Sequence, residues 1–406
     1  MRATFQLKTL TVAIAAFSII SVASAAGLDR SGQDITAFLQ DGTYAEAVYT
    51  YIDADVTGKD TSGNNIDDIA ESYDFFRYGV KTDINDTFSI GVLYDEPFGA
   101  AADYSGNNNF VDQNPVSPRN GEGTNVEVRT ESITGILGAK IGENKNFQVY
   151  GGPVAQRVKA DVKLRDTAYS IADGYTTHVS ADQDYGWLAG VAYSKPEIAL
   201  KAALTYRSEI EHNAQSSENY PRAIAFSIPT SRTGSIDITT PESVNFDFQT
   251  GINLTTLATA KVRWVPWSDF AITPSLYNDV SQVLATIPQG AGIPPEGLDL
   301  VSYDEDQWQV ELGLAKRMTP ALALTGTVGW DSGAGNPVTS LGPIEGYYSA
   351  GLGAKYNVTE NWAVSAGGKY LWFGDAEGQI PSKTIVSDFE SNDGFILGMK
   401  VSYQSN

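Results

Sequence analysis

The chain has 406 residues, no cysteine and two histidines, His178 and His212, which excludes disulfide scaffolds, thiol catalysis and Cys/His zinc sites. Lys plus Arg number 27 against 49 Asp plus Glu, a formal charge of −22, so a phosphate backbone is repelled and nucleic acid is excluded as a partner. With 42% hydrophobic and only 19% charged residues the chain is not disordered, and past its N-terminus no run reaches the roughly 18 apolar residues of a spanning helix.

Residues 1–26 read as a secretory signal peptide: Arg2 and Lys8 supply positive charge, Leu10 to Val22 are mostly apolar, and Ala23-Ser24-Ala25 offers a small-residue cleavage site. Removing it leaves a still more acidic mature chain that works outside the cytoplasm. Residues 27–42 (GLDRSGQDITAFLQDG) do not alternate cleanly and place Leu28, Ile35, Phe38 and Leu39 among polar neighbours. They are expected to form a plug, or hatch, ahead of a barrel spanning 43–406.

From there the pattern has period two, one apolar and one polar face per segment, which is the mark of strands. Fourteen are expected, near Tyr44–Val56, Ser72–Lys81, Phe88–Pro97, Asn125–Ile141, Phe147–Lys163, Tyr185–Ser194, Ala199–Glu211, Val244–Asn253, Leu257–Trp267, Gln307–Lys316, Leu322–Trp330, Tyr347–Tyr356, Trp362–Phe373 and Phe395–Tyr403. Many stripes begin or end in Tyr, Trp or Phe, as in the aromatic girdles of membrane barrels. Links such as Asp83–Asp86, Gly142–Asn146 and Lys195–Glu197 are short, whereas Gly99–Gly123, His212–Glu242 and Asp269–Asp304 are long and rich in loop-forming residues. Tight turns at one end and long loops at the other define a transmembrane antiparallel β-barrel, an all-β fold in which closure satisfies every backbone group inside lipid. A barrel of this size is too wide to fill with its own side chains, so its lumen is either water-filled or plugged.

Three segments resemble the FadL/TodX family of outer-membrane transporters for long-chain fatty acids and other hydrophobic compounds. Tyr94-Asp95-Glu96-Pro97-Phe98-Gly99, followed by Tyr104, is similar to that family's strand end carrying Pro-Phe-Gly. Trp264-Val265-Pro266-Trp267-Ser268-Asp269-Phe270 is similar to its Trp-x-x-Trp-Ser segment, and Gln156-Arg157-Val158-Lys159 to a basic stretch on its fifth strand. The resemblance implies a fourteen-stranded barrel in the bacterial outer membrane, an N-terminal hatch, and a break in the third strand that opens the wall sideways to lipid. The Asn-Pro-Ala triplet of many family hatches is absent here.

The candidate site follows from these readings. Pro97 removes a ladder donor and Gly99 weakens pairing, so Pro97, Phe98 and Gly99 are expected to form the lateral opening. Arg157 and Lys159 alternate with Val158, Ala160 and Val162; if the apolar set faces lipid, both cations face inward. Arg207, Lys201, Lys261 and Arg263 follow the same logic. Arg157, Lys159, Arg207, Lys261 and Arg263, with Phe98 as an apolar surface, are the expected ligand-binding residues, the cations holding a headgroup by charge-assisted hydrogen bonds. Lumenal cations that merely pair with Glu209, Glu311 or Asp161 are the plainer alternative.

The expected function is passive uptake of a long-chain fatty acid or similar hydrophobic molecule by a monomeric barrel that touches outer-membrane lipid and lipopolysaccharide, with no cofactor and no metal. A general diffusion porin for polar solutes is the alternative. A lipid hydrolase using His178 or His212 is the third reading, though neither has a Ser/His spacing that supports it.

Overall fold

The computed structural model describes residues 28–290 and 292–405; the expected leader lies outside them. Fourteen antiparallel staves form the wall: β1 Thr43–Asp55, β2 Tyr73–Asp83, β3 in two pieces Phe88–Asp95 and Gly99–Asp103, β4 Asn125–Ile141, β5 Phe147–Lys163, β6 Thr176–Lys195, β7 in two pieces Leu200–Arg207 and Ile210–Asn219. β8 follows as Ser231–Thr240 and Ser243–Asn253, then β9 Thr256–Val265, β10 Gln307–Arg317, β11 Leu322–Asp331, β12 Glu345–Asn357, β13 Trp362–Gly374 and β14 Asp393–Ser405. β1 pairs β14 from Thr43↔Ser405 to Asp55↔Asp393, so the barrel closes without an edge.

Each stave alternates because its two faces meet different media. Leu312, Leu314, Leu324, Val328, Leu352, Leu397 and Met399 are exposed on the outer face of the wall, where the surrounding medium is lipid rather than water. Aromatic side chains bracket this band. Phe88, Phe147, Trp362 and Tyr403 lie beside the short turns, and Tyr78, Tyr94, Tyr185, Trp187, Trp308, Trp330, Tyr348 and Trp372 lie toward the long loops.

Tertiary structure departs from the sequence expectation in three ways. First, much of the expected loop His212–Glu242 is wall: Ile210–Asn219 and Ser231–Thr240 pair rung for rung from Ile210↔Thr240 to Asn219↔Ser231. The third strand likewise resumes at Gly99–Asp103. Second, the loop Asp269–Asp304 carries a helix, α1, at Ser275–Ala285, whose Leu276, Tyr277, Val280 and Leu284 are buried. That i, i+4, i+8 spacing is helical and had been hidden by the prevailing alternation.

The third departure concerns orientation. Arg157 and Lys159 are exposed on the outer face, while Val154, Gln156, Val158, Ala160 and Val162 are buried inside, so the expected inward direction of these two cations is corrected. β5 has 17 residues, more than the roughly 9–11 a spanning strand needs. Its upper half therefore stands above the bilayer, where the outer face meets water and the apolar face turns in.

The inner core has two parts. One cluster fills the lumen with Ile136, Tyr150, Val154, Leu188 and Ala203 together with Ile35, Ala37, Phe38 and Leu39. The larger one binds the loops into a cap and includes Leu28, Phe98, Trp267, Tyr169, Tyr220 and Tyr277.

Candidate functional site

The wall is interrupted twice. β2 and β3 pair from Asp83↔Ser89 up to Tyr78↔Tyr94 and then separate. Above that point Tyr73–Arg77 keep ladder pairing with β1, and Gly99–Asp103 with β4, but the two do not pair with each other. The chains meet again where Asp103 N donates to Ile69 O at 2.9 Å and Ala70 faces Ala102, so the gap is a closed window rather than an open seam. Glu96-Pro97-Phe98 span it, as a residue without an amide donor permits. The second interruption separates β6 from β7: Arg207↔Leu188 is the last rung below it and Ser216↔Val179 the first above. His212 points inward there, with Nδ1 3.4 Å from Asp182 and Nε2 3.1 Å from Gln156.

The first window is filled from within. Asp29 forms an antiparallel bridge with Phe98. Arg30 N donates to Pro97 O at 2.8 Å, and Gly99 N donates to Leu28 O at 2.7 Å. The Arg30 guanidinium sits 4.0 Å over the Tyr73 ring, a cation–π contact across the gap. A Cβ at Gly99 would lie 2.5 Å from Arg30 Cζ, so a larger residue there displaces this guanidinium.

Residues 28–42 continue from this bridge through the lumen, held by side chains from opposite sides of the wall. Arg263 grips Asp29 bidentately, Nε to Oδ2 at 2.7 Å and Nη2 to Oδ1 at 3.0 Å. Lys261 pairs with Asp34 at 2.7 Å, and Arg77 approaches the same carboxylate at 3.9 Å. Arg207 donates to Gln33 O at 3.0 Å, Asn245 donates to Gly32 O at 2.7 Å, and Ser31 donates to Asp95 at 2.6 Å. Lower down, Lys201 donates to Leu39 O and Lys81 to Gln40 O. Between these polar ties Phe38 packs on Tyr150 with centroids 5.7 Å apart. A Cβ on Gly91 would come within 2.7 Å of the Phe38 ring.

Thus Arg207, Lys261 and Arg263 do face the lumen, but each is engaged by the N-terminal segment. Phe98 lies at the junction of the window and the cap, edge-on to Trp267 at 5.5 Å, and the Trp-x-x-Trp segment supplies that partner. Glu311 takes Lys369, and Asp161 takes His178, 2.6 Å away on the outer face, so the two histidines lie on opposite faces of the wall. The residues the sequence did not single out are Asp29, Arg30, Asp34 and Tyr73. The acids and Arg30 stood in plain view in the plug segment, but their partners are more than 200 positions away or on another stave.

Above the window the loops form an apolar cleft of about 1060 Å³, lined by Tyr169, Tyr220, Phe226, Tyr277, Leu284 and Ile287. α1 supplies one side, and Glu218 caps its start by accepting from Leu276 N and Tyr277 N at 2.9 and 3.0 Å. The spaces beside the segment in the lumen are far smaller, about 70, 30 and 10 Å³.

A closed fourteen-stave barrel with an outer lipid-facing band, a side window and an internal segment seated in it is an outer-membrane transport barrel. Consistent with that class, residues 35–404 match the profile of the family described as outer membrane protein transport protein (OMPP1/FadL/TodX). The chain belongs to this family. No curated protein matches it by sequence. Among solved structures it is similar to a Pseudomonas aeruginosa FadL homologue, with 15% identity, 94% of this chain and 95% of that chain covered, and a TM-score of 0.68. It is also similar to the Pseudomonas putida toluene transporter TodX, with 12% identity, 91% and 92% coverage and a TM-score of 0.59. The Ralstonia pickettii toluene transporter TbuX is similar at 12% identity, 91% and 92% coverage and a TM-score of 0.57. At these identities the likeness is one of fold.

Proposed function

We propose that the protein takes up hydrophobic molecules passively, as a monomer, by capture in the loop cleft, passage toward the β2/β3 window and release sideways once residues 28–42 move. The observation that carries this reading is the window itself: its lower edge is rimmed by Tyr78 and Tyr94, ring centroids 5.8 Å apart, and its opening is filled by Leu28–Arg30. An apolar molecule leaving there enters lipid without crossing water. The segment is a gate in this scheme, because it is tied by ion pairs and short hydrogen bonds rather than built into the barrel ladder.

Long-chain fatty acids are the leading substrate class. A carboxylate can replace Asp29 on Arg263 or Asp34 on Lys261 with little change in charge, which couples ligand entry to release of the segment. Neutral monoaromatic hydrocarbons are the second reading, favoured by the aromatic lining of the cleft and by the engagement of every lumenal cation named above. The small lumenal spaces count against a diffusion porin.

Reconstitution in lipid bilayers tests the scheme through ionic conductance measured beside uptake of a labelled fatty acid and of toluene. Low conductance with saturable uptake of either is expected. Large steady conductance without hydrophobic uptake overturns the reading.

A further inference from the structure

The cations that turned outward define a second site, on lipid rather than on the transported molecule. On the outer face of β4, β5 and β6 the rungs can be counted upward from the girdle. Ile133, Ala155 and Tyr185 share one rung; the next rung on the same face holds Glu131, Arg157 and Gln183; the next pairs Arg129 with Lys159. At about 3.3 Å per residue these two rungs lie about 7 and 13 Å further along the strands, the depth at which a bilayer presents its headgroups. Lys163, opposite Asn125, continues the strip.

Its electrostatics are incomplete without an anion. Arg129 and Lys159 are direct cross-strand partners, a like-charge juxtaposition that destabilises a sheet. The acids nearby are mostly committed: Glu127 pairs with Arg129 at 2.6 Å and Asp161 with His178 at 2.6 Å. Arg157, Lys159 and Lys163 form no ion pair among the described residues: Glu131 stands beside Arg157 without pairing, and Asp103, on the rung of Lys163, accepts from Asn125 Nδ2 instead. In a chain of charge −22, three unpaired cations on one exposed strip are not explained by solubility.

We propose that Arg129, Arg157 and Lys159 bind the phosphate of an outer-leaflet lipid, whose acyl chains lie along Ile133, Leu137 and Trp187 below. Guanidinium and ammonium groups on neighbouring strands can share one phosphate through charge-assisted hydrogen bonds, and the apolar band beneath supplies the chain contacts that a free phosphate lacks. Arg129 also stands opposite Gly99, on the upper border of the window, so the bound headgroup sits beside the lateral mouth. The proposal rests on the membrane placement of the barrel and not on which molecule is transported.

The test uses the full mature protein in detergent and counts retained lipid by native mass spectrometry, with bis-phosphorylated lipid A and dephosphorylated lipid A as probes. The variant is Arg129→Gln/Arg157→Gln/Lys159→Gln; the control, Lys195→Gln/Lys316→Gln, removes exposed charges near the short turns. Heat-modifiable gel migration verifies that both barrels are folded. Wild type and control are expected to retain bis-phosphorylated lipid A roughly a hundredfold better than the triple variant at low ionic strength. All three proteins should retain the dephosphorylated lipid equally poorly. Equal retention by the folded triple variant overturns the site, as does a wild type that retains neither lipid. Displacement of lipid A by an equal concentration of inorganic phosphate would make this a free-anion site and overturn the lipid assignment.

Discussion

Replacing Arg263 by Ala should release the N-terminal segment far more than replacing its partner Asp29, although the two share one ion pair. The pair is buried, with side-chain exposures of 4% and 0%. Without Arg263, Asp29 keeps no ion pair among the described residues, and stranding a buried charge costs about 3–5 kcal/mol. Without Asp29, Arg263 still donates to Asn245 Oδ1 at 2.8 Å and to Gln33 Oε1 at 3.2 Å, so that change should cost only about 1–2 kcal/mol. Since each 1.4 kcal/mol is tenfold, the undocked population should rise roughly a hundredfold or more in Arg263→Ala and about tenfold in Asp29→Ala. Hydrogen exchange over residues 28–42 reads this ratio, and thermal unfolding of the barrel serves as the control because the backbone rungs of Arg263 with Asn245 and Gln309 survive a side-chain change. Equal exchange in the two variants, the reverse order, or a parallel loss of barrel stability would refute the reasoning.

The bridge of Asp29 with Phe98 suits an engineered lock: antiparallel partners of this kind have Cα atoms about 4.5 Å apart, within disulfide reach, and the chain has no cysteine to mispair. Asp29→Cys/Phe98→Cys should lose uptake when oxidised and regain it on reduction; uptake by the oxidised form would remove the segment from the gating role. Ile287→Glu in the loop cleft should weaken saturable capture of a labelled hydrophobic ligand about tenfold by deleting one apolar contact surface, measured as a shift in half-saturation. Arg157→Ala, facing outward, should leave uptake unchanged. Burial tends to raise the Asp60 carboxyl, but bonds from the Asn64 side chain and from Asn109 N, Asn64 N and Ser62 N hold it below the ordinary aspartate range. The stability it gives the cap is therefore present at neutral pH, above its unfolded value, and is lost as pH falls through the lowered one. Limited proteolysis of the loops should accelerate in acid, and Asp60→Ala should be fast at neutral pH and lose that acid dependence.

How much could be read beforehand differs between wall and site. Leu312, Leu314, Leu324 and Leu352 announce lipid-facing positions because alternation is a local property of the extended backbone. Pro97 lies in the break of β3 for the same reason, since a missing amide donor alters pairing wherever it stands, whereas Gly99 pairs with Arg129 and begins the resumed strand. The parity of β5 was misread because alternation says that two faces differ, not what each one meets. In its lower half Phe147 and Val149 face lipid, whereas in its upper half Arg157 and Lys159 occupy that same face in water.

The sequence by itself therefore determined a closed antiparallel barrel of fourteen staves in the outer membrane, since this depends on residue type, period and turn length within a few neighbours. Only the tertiary structure decided the rest: that Arg263 meets Asp29 and Lys261 meets Asp34, that Arg30 closes the window against Tyr73, and that α1 walls the loop cleft. Those contacts join positions far apart along the chain. Their partners are fixed by the closure of the barrel and by the path of residues 28–42 through its lumen, which no local pattern encodes.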